Sequence, residues 1–351
     1  MPGKRGEMRG LRVYGEAIMT RIHAFNAPGK APSEAVELTA VFGLLAGPNV
    51  FVWIDLEKPA PEETKAVLED LFHFHPLSIE DCVLPSPSPK VEEYNPGPED
   101  KFTQYLFVVA HAVNYNKRDG RFATVELNFF LGKNFLVTYH DEPLRAIGEL
   151  EQRLGKEAGR AAQGADRLAH LLLDTVVEDY KPALDELSQE IGGLEQSALQ
   201  EAPTREMLNR MVGLKREVRT LTRIIGPQTE VLGRLAGGAF KLIRPKMLPY
   251  FRDVHYALSH IEQMAQGYSD SLTGTLQVYL SLSSNQTGEI VKLLTMITVI
   301  TTPLMMIGTW YGMNFKDMPE LQWPHGYVVA SGAMVVSTIG TYLYFKRKKW
   351  L

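Results

Sequence analysis

The sequence predicts a chain in three parts: an α+β domain, a stalk built on a long helix, and two transmembrane helices at the C-terminus. Three observations point there. Short β-rich runs alternate with a helical run up to about residue 165. Helical spacing then continues with few breaks to Tyr311. Two uncharged runs of 19 residues, Leu293 to Tyr311 and Tyr327 to Phe345, lie near the C-terminus. As a helix, each just covers the ~30 Å of a bilayer's hydrocarbon. Whole-chain averages hide this: of 351 residues 22% are charged, and mean hydropathy is −0.12.

In the first part, NVFVWIDL (Asn49 to Leu56), YLFVVAHAV (Tyr105 to Val113), TVELNFFLG (Thr124 to Gly132) and NFLVTYH (Asn134 to His140) are rich in β-branched and aromatic residues and are bounded by turn formers, as strands are. APEETKAVLEDLFHF (Ala60 to Phe74) reads as a helix with acids in its first turn. SPSPKVEEYNPGPEDK (Ser86 to Lys101) reads as a proline-rich loop. From Asp166 to Ala202 one long helix is expected, with a turn at Pro203. A second helix follows, with Gly226–Pro227 as its candidate break. Acids crowd the first helix and bases the second, the pattern of a solvated, ion-paired hairpin.

After Pro249, Val254, Leu258, Ile261, Ala265, Tyr268, Leu272, Thr275, Tyr279 and Leu282 alternate at spacings of four and three, a heptad seam. Unbroken helix from Tyr250 to Tyr311 is roughly 90 Å long at 1.5 Å per residue. Such a helix needs like helices around it, so a symmetric oligomer is expected. Following the seam into the membrane leads to Gly288, Val291, Leu294 or Thr295, Thr298, Thr302, Met305 and Thr309. The span's threonines are at 295, 298, 301, 302 and 309, and four of the five lie on or beside this stripe. Two readings stay open. The hydroxyls bond their own backbone, or they line a wet axial path whose constriction is Val291 and Leu294.

The parts divide as 1–165 (cytoplasmic α/β domain), 166–248 (helical hairpin), 249–311 (stalk and first span, the latter 293–311), 312–326 (outer loop), 327–345 (second span) and 346–351 (basic tail). Trp310, Tyr311, Tyr327, Tyr342, Tyr344 and Trp350 rim the spans, as at membrane interfaces. KRKKWL closes the second span and Lys292 opens the first, so the positive-inside rule puts both termini in the cytoplasm. The net charge of −4 argues against a nucleic-acid binder. The one cysteine, Cys82, allows no intrachain disulfide. The N-terminal segment has no apolar run of the signal-peptide kind.

YGMNF after the penultimate helix, the final KRKKWL, and PYFRDV (Pro249 to Val254) opening the stalk together resemble the CorA family of magnesium channels. HPLSIEDC (His75 to Cys82) and PKVEEY (Pro89 to Tyr94) are similar to that family's cytoplasmic domain. The resemblance implies a homopentamer in the inner cell membrane, with a funnel-shaped α/β domain and a pore on the five-fold axis. It implies a pore mouth of Gly312, Met313 and Asn314, and a short outer loop because that loop is a ring element. Mg²⁺ holds its waters tightly, and a ring of Asn314 carboxamides hydrogen-bonds those waters without stripping them. The plain alternative is that Gly312 and Asn314 are a helix cap and turn. The resemblance also implies regulatory Mg²⁺ between neighbouring subunits, at Asp81 with Asp253, and at a weaker site with Glu80 and Asp174. Asp253 as a helix N-terminal acid or a partner of Arg252 stays open. Asp317 and Glu320 would concentrate cations outside or be solvated loop charges.

Departures from the family pattern are Gly288 at the inner pore entrance, Gln277 in the stalk, Val291 in place of a larger apolar residue, and extra residues at Asn95 to Lys101. They bear on the gate and the inner metal relay. The implied function is Mg²⁺ influx down the membrane potential, with Co²⁺ or Ni²⁺ as further cargo. A zinc transporter of the same superfamily and a non-conducting membrane-anchored metal sensor are the alternatives. No phosphate-binding glycine loop and no nucleophile–base constellation is present, so neither a pump nor an enzyme is expected.

Overall fold

The computed structural model describes residues 20–26, 38–47, 50–86, 88–116, 121–156, 163–316, 318–348 and 350. The chain divides into two compact units. One comprises residues up to Glu195 together with Asn209–Thr273, and the other Gln196–Leu208 together with Gly274–Leu351.

The first unit is built on a sheet that has six strands among the described residues, in the order β1-β2-β6-β5-β4-β3. These are β1 (Thr20–Asn26), β2 (Val50–Glu57), β3 (Lys90–Tyr94), β4 (Tyr105–Asn116), β5 (Arg121–Gly132) and β6 (Phe135–His140). β2 and β6 run parallel; the other neighbours are antiparallel. A parallel pair is stable when both faces are covered, and every residue of β6 is buried. One face carries α1 (Leu38–Leu45), α2 (Pro61–Thr64) with the π-helical turn Lys65–Leu71, and α3 (Pro76–Val83), whose Val41, Val67, Leu68 and Cys82 join Phe107, Phe130 and Val137 in one core. The other face carries α5 (Ala165–Glu178), which packs on β2, β4, β5 and β6 and also against α4 (Arg145–Lys156).

The four expected strands and the Ala60–Phe74 helix are present, the latter widening into the π turn. Ser86–Lys101 is not all loop. Lys90–Tyr94 is the edge strand β3, paired with β4. The three charges of KVEEY suit an edge, where charge blocks further pairing; only its pairing with β4 makes it a strand. The first long helix is also two: α5 ends at Glu178 and α6 (Tyr180–Gln200) begins after Asp179. Pro182 has no N–H to give the carbonyl of Glu178, and its ring crowds that carbonyl. Conversely, α7 (Arg205–Ala236) runs through Gly226–Pro227 without a break. Ile224, Ile225, Val231 and Leu232 are buried on either side, and packing holds the helix together.

Where β2 meets β6 the interior is charged. His140 and Asp55 have fully buried side chains 3.2 Å apart. The Thr138 hydroxyl donates to Asp55 at 2.5 Å, and Trp53 Nε1 donates to Thr138 at 3.0 Å. The other ring nitrogen of His140 meets the Glu142 carbonyl at 2.6 Å. Acceptors at both nitrogens require both to carry hydrogen, so this is an imidazolium. Burial opposes its charge, and Asp55 outweighs burial, leaving the His140 pKa raised.

The long helix is α8 (Leu248–Tyr311), 64 residues and about 96 Å at 1.5 Å per residue. It is shared by both units. In the first, Val254, Leu258, Ile261, Ala265 and Leu272 are buried. Their cover is the chain's own hairpin of α6 and α7: Lys215 Nζ donates to Thr273 Oγ1 at 2.9 Å, Ser271 donates to Glu195, and His255 Nδ1 meets the Thr229 carbonyl at 3.2 Å. The expectation that the seam awaits like helices of other chains is therefore corrected for this stretch.

Candidate functional site

The second unit holds the far end of α8, a short loop, and α9 (Gly326–Arg347). Both helices are long and apolar enough to cross a membrane, and almost none of either apolar stretch is buried. The face of α8 nearest to burial is Met296, with Ile300, Pro303 and Ile307 half-buried. α9 passes close by, since a Cβ on Gly308 would sit 3.6 Å from Met334 Cε.

This corrects one step of the sequence reading. Continued strictly by fours and threes from Leu282, the seam reaches Gln286, Glu289, Leu293, Met296, Ile300, Pro303 and Ile307. It thus follows the partly covered face. The stripe of Gly288, Val291, Leu294, Thr295, Thr298, Thr302, Met305 and Thr309 is a different surface, and all eight residues are exposed within the chain. Its threonines bond backward: Thr295 to the Val291 carbonyl at 2.7 Å, Thr298 to Leu294 at 2.9 Å and Thr302 to Thr298 at 2.7 Å. The two readings of these hydroxyls are compatible. Thr295, Thr298 and Thr302 have each donated their only hydrogen and keep oxygen lone pairs for a donor outside.

At the end of α8 the Gly312 N–H bonds to the carbonyls of Gly308 and Thr309, at 3.0 and 3.2 Å, and Met313 N–H to Trp310 at 3.4 Å. A Cβ on Gly312 would lie 3.2 Å from the Gly308 carbonyl oxygen, so the residue without one eases the helix end. Met313 and Asn314 follow outside the helix, both exposed. Asp317 and the side chain of Glu320 lie outside the described residues. α9 closes with Lys346 and Arg347 in its last turn, where bases complement the helix dipole. Trp350 stacks on Phe345 at 5.4 Å.

The carboxylates lie in the first unit, in two groups. Glu80 is exposed and Asp81 half-buried on α3, and Asp81 is held by Lys90 Nζ at 2.5 Å. Lys90 also reaches Glu92 at 3.3 Å. Burial opposes the Lys90 charge, but Asp81 and Glu92 prevail and its pKa is raised. Asp174 of α5 and Asp253 of α8 form the second group. Burial first, then the charges of Glu178 and Asp253, raise the Asp174 pKa against the pull of Arg153 and Arg167. Arg153 is 3.8 Å from Asp174, and the Arg167 guanidinium lies over the Tyr250 ring at 4.6 Å. Among the described residues, no three His, Cys, Asp or Glu side chains converge to hold a metal within the chain. Mutually repelling carboxylates still suit a hard cation with its water shell. Sequence reasoning missed Lys90, Arg153 and Arg167, the resident cations of these groups. Lys90 stood in the motif PKVEEY, but nothing local says that its ammonium turns to α3.

An α/β unit on a mostly antiparallel sheet and two bare apolar helices at the C-terminus define a class: membrane proteins with a large water-facing domain and a two-span anchor or pore. Residues 48–347 match the family described as CorA-like Mg2+ transporter protein. The chain belongs to that family. It is 34% identical to the cobalt/magnesium transport protein CorA of Thermotoga maritima over 300 residues, 85% of this chain and 83% of the relative. It is 30% identical to a putative metal ion transporter, YfjQ, of Bacillus subtilis over 298 residues, 85% and 89% of the two chains. Its fold matches the complete CorA magnesium transporter of Methanocaldococcus jannaschii with a TM-score of 0.77 at 22% identity, covering 94% of this chain and 98% of the other.

Proposed function

We propose that the chain forms a homopentameric Mg²⁺ channel of the inner cell membrane, with both termini in the cytoplasm. Co²⁺ would be a second cargo, since the Thermotoga relative is a cobalt/magnesium transport protein. One observation carries most weight: two bare apolar helices are joined by a short turn that exposes Asn314 immediately after the helix end at Gly312. Five copies around an axis would set five Asn314 carboxamides at the mouth. Their carbonyl oxygens accept from the waters of a hydrated Mg²⁺, an ion slow to give those waters up. Below the mouth, the stripe from Thr309 to Gly288 would face the axis, with Val291 and Leu294 as an apolar gate that closes by dewetting. A divalent ion gains about 4.6 kcal/mol per 100 mV at ~2.3 per charge, enough for uptake without a pump.

Gating follows from the carboxylates. Between subunits, Asp81 of one and Asp253 of the next would share a hydrated Mg²⁺, with Glu80 and Asp174 as a weaker pair. The bound ion supplies positive charge that relieves their repulsion and favours the closed ring. Its loss loosens the ring. The resident Lys90 competes for Asp81 and sets how much Mg²⁺ is needed.

The test is Mg²⁺ influx into proteoliposomes under an inside-negative potential at low internal Mg²⁺. Influx is expected in the wild type and at least a tenfold fall in Asn314→Ala. A folded, oligomeric wild type without flux would sink the channel reading and favour a non-conducting sensor. Zn²⁺ flux driven by a proton gradient in its place would favour the zinc transporter.

A further inference from the structure

A cavity of about 170 Å³ lies in the first unit between the end of α3 and the strands β5 and β6. At ~30 Å³ per water this is room for roughly five waters. Glu126, Asn128, Asp141 and Glu142 line it, with Cys82, Tyr139 and His140, whose two ring nitrogens are taken by Asp55 and the Glu142 carbonyl. None of these carboxylates belongs to the groups discussed above.

The polar groups here are unbalanced. Asn128 is 3% exposed. Its Nδ2 donates to Glu126 at 2.8 Å and to the Cys82 carbonyl at 3.2 Å, which settles the orientation of the amide. Its Oδ1 is buried and, among the described residues, accepts from no donor. An unused buried acceptor costs about 1–3 kcal/mol. Glu126 is held by Asn128 and by the Ser86 backbone N–H at 2.7 Å, both neutral donors. Among the described residues no Lys or Arg forms an ion pair with Glu126, Asp141 or Glu142; Lys90, paired with Asp81 and Glu92, lowers the Glu126 carboxyl only through its field. Burial raises the Glu126 carboxyl despite its two donors, and the charge of Asp141 adds to this. Tyr139, beside Asp141 and Cys82, is pushed up to about 12, chiefly by burial.

The free capacity of the cavity is thus acceptors: the Asn128 carbonyl oxygen and the spare lone pairs of three carboxylates. Waters bound to a cation point their hydrogens outward, so a hydrated cation is the complement of such a wall. An anion or a neutral donor–acceptor ligand is not. Among the described residues no three His, Cys, Asp or Glu side chains converge on a point, so the wall does not fit a stripped ion. Mg²⁺ keeps several of its waters when bound by one or two carboxylates. We propose that this cavity is an intrachain site for a hydrated divalent cation of the Mg²⁺ type, held through its waters by Glu126, Asp141 and the Asn128 carbonyl oxygen. Cys82 in the wall directly follows Asp81, so occupancy would brace the end of α3 that carries Glu80 and Asp81. The site stands whether or not the chain conducts.

Mn²⁺ serves as the probe. The full chain is crystallised with Mn²⁺ and anomalous scattering is mapped. A peak bounded by Glu126, Asn128 and Asp141 is expected, and it should vanish in Asp141→Asn while any peak at Asp253 stays. Asp141 is exposed, so this variant keeps the fold even where the more buried Glu126→Gln does not. Equilibrium dialysis of the detergent-solubilised chain should show one fewer Mn²⁺ per chain in Asp141→Asn, and in Glu126→Gln if it folds. No peak in the cavity, a peak unchanged in Asp141→Asn, or equal displacement of Mn²⁺ by Na⁺ at matched ionic strength overturns the proposal.

Discussion

From Val254 to Tyr279, α8 hides one side; from Val291 to Thr309 the same helix leaves most of its surface bare. In the first stretch apolar side chains meet the chain's own hairpin, and polar ones find partners there, such as Lys215 with Thr273. In the second, Leu294 and Met305 are each 64% exposed, and the threonine hydroxyls turn back to their own helix. The difference reflects two solvents. Water drives apolar groups together and leaves polar ones to be paired. Lipid demands only that backbone and hydroxyl hydrogens be satisfied within the helix.

This contrast can be broken by experiment, beginning where the interior is most charged. Removing one partner of a buried pair costs about 3–5 kcal/mol, so His140→Ala should lower the stability of the water-facing unit by that order in denaturant titration. The folded pKa of His140 is raised. The pair therefore contributes fully below the unfolded histidine value and is lost as pH rises through the folded one. Wild-type stability should fall across that alkaline limb, and His140→Ala should flatten it. A limb unchanged in the variant would mean that another group titrates there.

Next comes the helix itself. Leu258→Ala, at a fully buried seam position, should cost about 2–5 kcal/mol. Leu294→Ala should cost within about 0.5 kcal/mol, as exposed sites do, while making the proposed gate leakier to Mg²⁺. Equal losses of stability would mean that Leu294 is covered by a neighbouring chain as tightly as Leu258 is by the hairpin.

Thr298→Val and Thr301→Val sharpen the comparison within the bare stretch. Both lose a backbone-directed hydroxyl. Only Thr298 lies on the stripe proposed to face the axis, so its replacement should reduce Mg²⁺ flux several-fold and that of Thr301 should not. Similar effects would remove the stripe from the conduction path.

A small effect belongs to the carboxylates. Asp174 has a raised pKa, so its ionised form destabilises the folded chain above that value. Asp174→Asn should stabilise at neutral pH by less than about 1 kcal/mol in the absence of Mg²⁺. The gain should vanish as pH falls below the carboxylate range. A gain that persists in acid would point to packing instead of charge.

Local rules made much of this legible. β-branched runs bounded by turn formers announced β2, β4, β5 and β6, and uncharged 19-residue runs announced both spans. The seam from Val254 to Tyr279 was visible because heptad spacing is a local periodicity. Its partner was not visible, since periodicity marks a sticky face without saying what sticks to it. For the same reason the turn from seam to stripe misled: both are helical rows, and only the burial of Met296 and the approach of Met334 to Gly308 tell them apart.

By itself the sequence determined the membrane segments, the central strands, the long helix and the YGMNF turn, because each is written in neighbouring residues through length, alternation or the absence of charge. Tertiary structure alone decided the rest. It made KVEEY an edge strand, carried α7 through Pro227, set Lys90 against Asp81, joined Asp174 to Asp253, and closed a wall of acceptors around Asn128. Those outcomes depend on residues far apart in the chain. Their energies arise only once packing has brought the groups within reach and excluded the water that would otherwise have screened them.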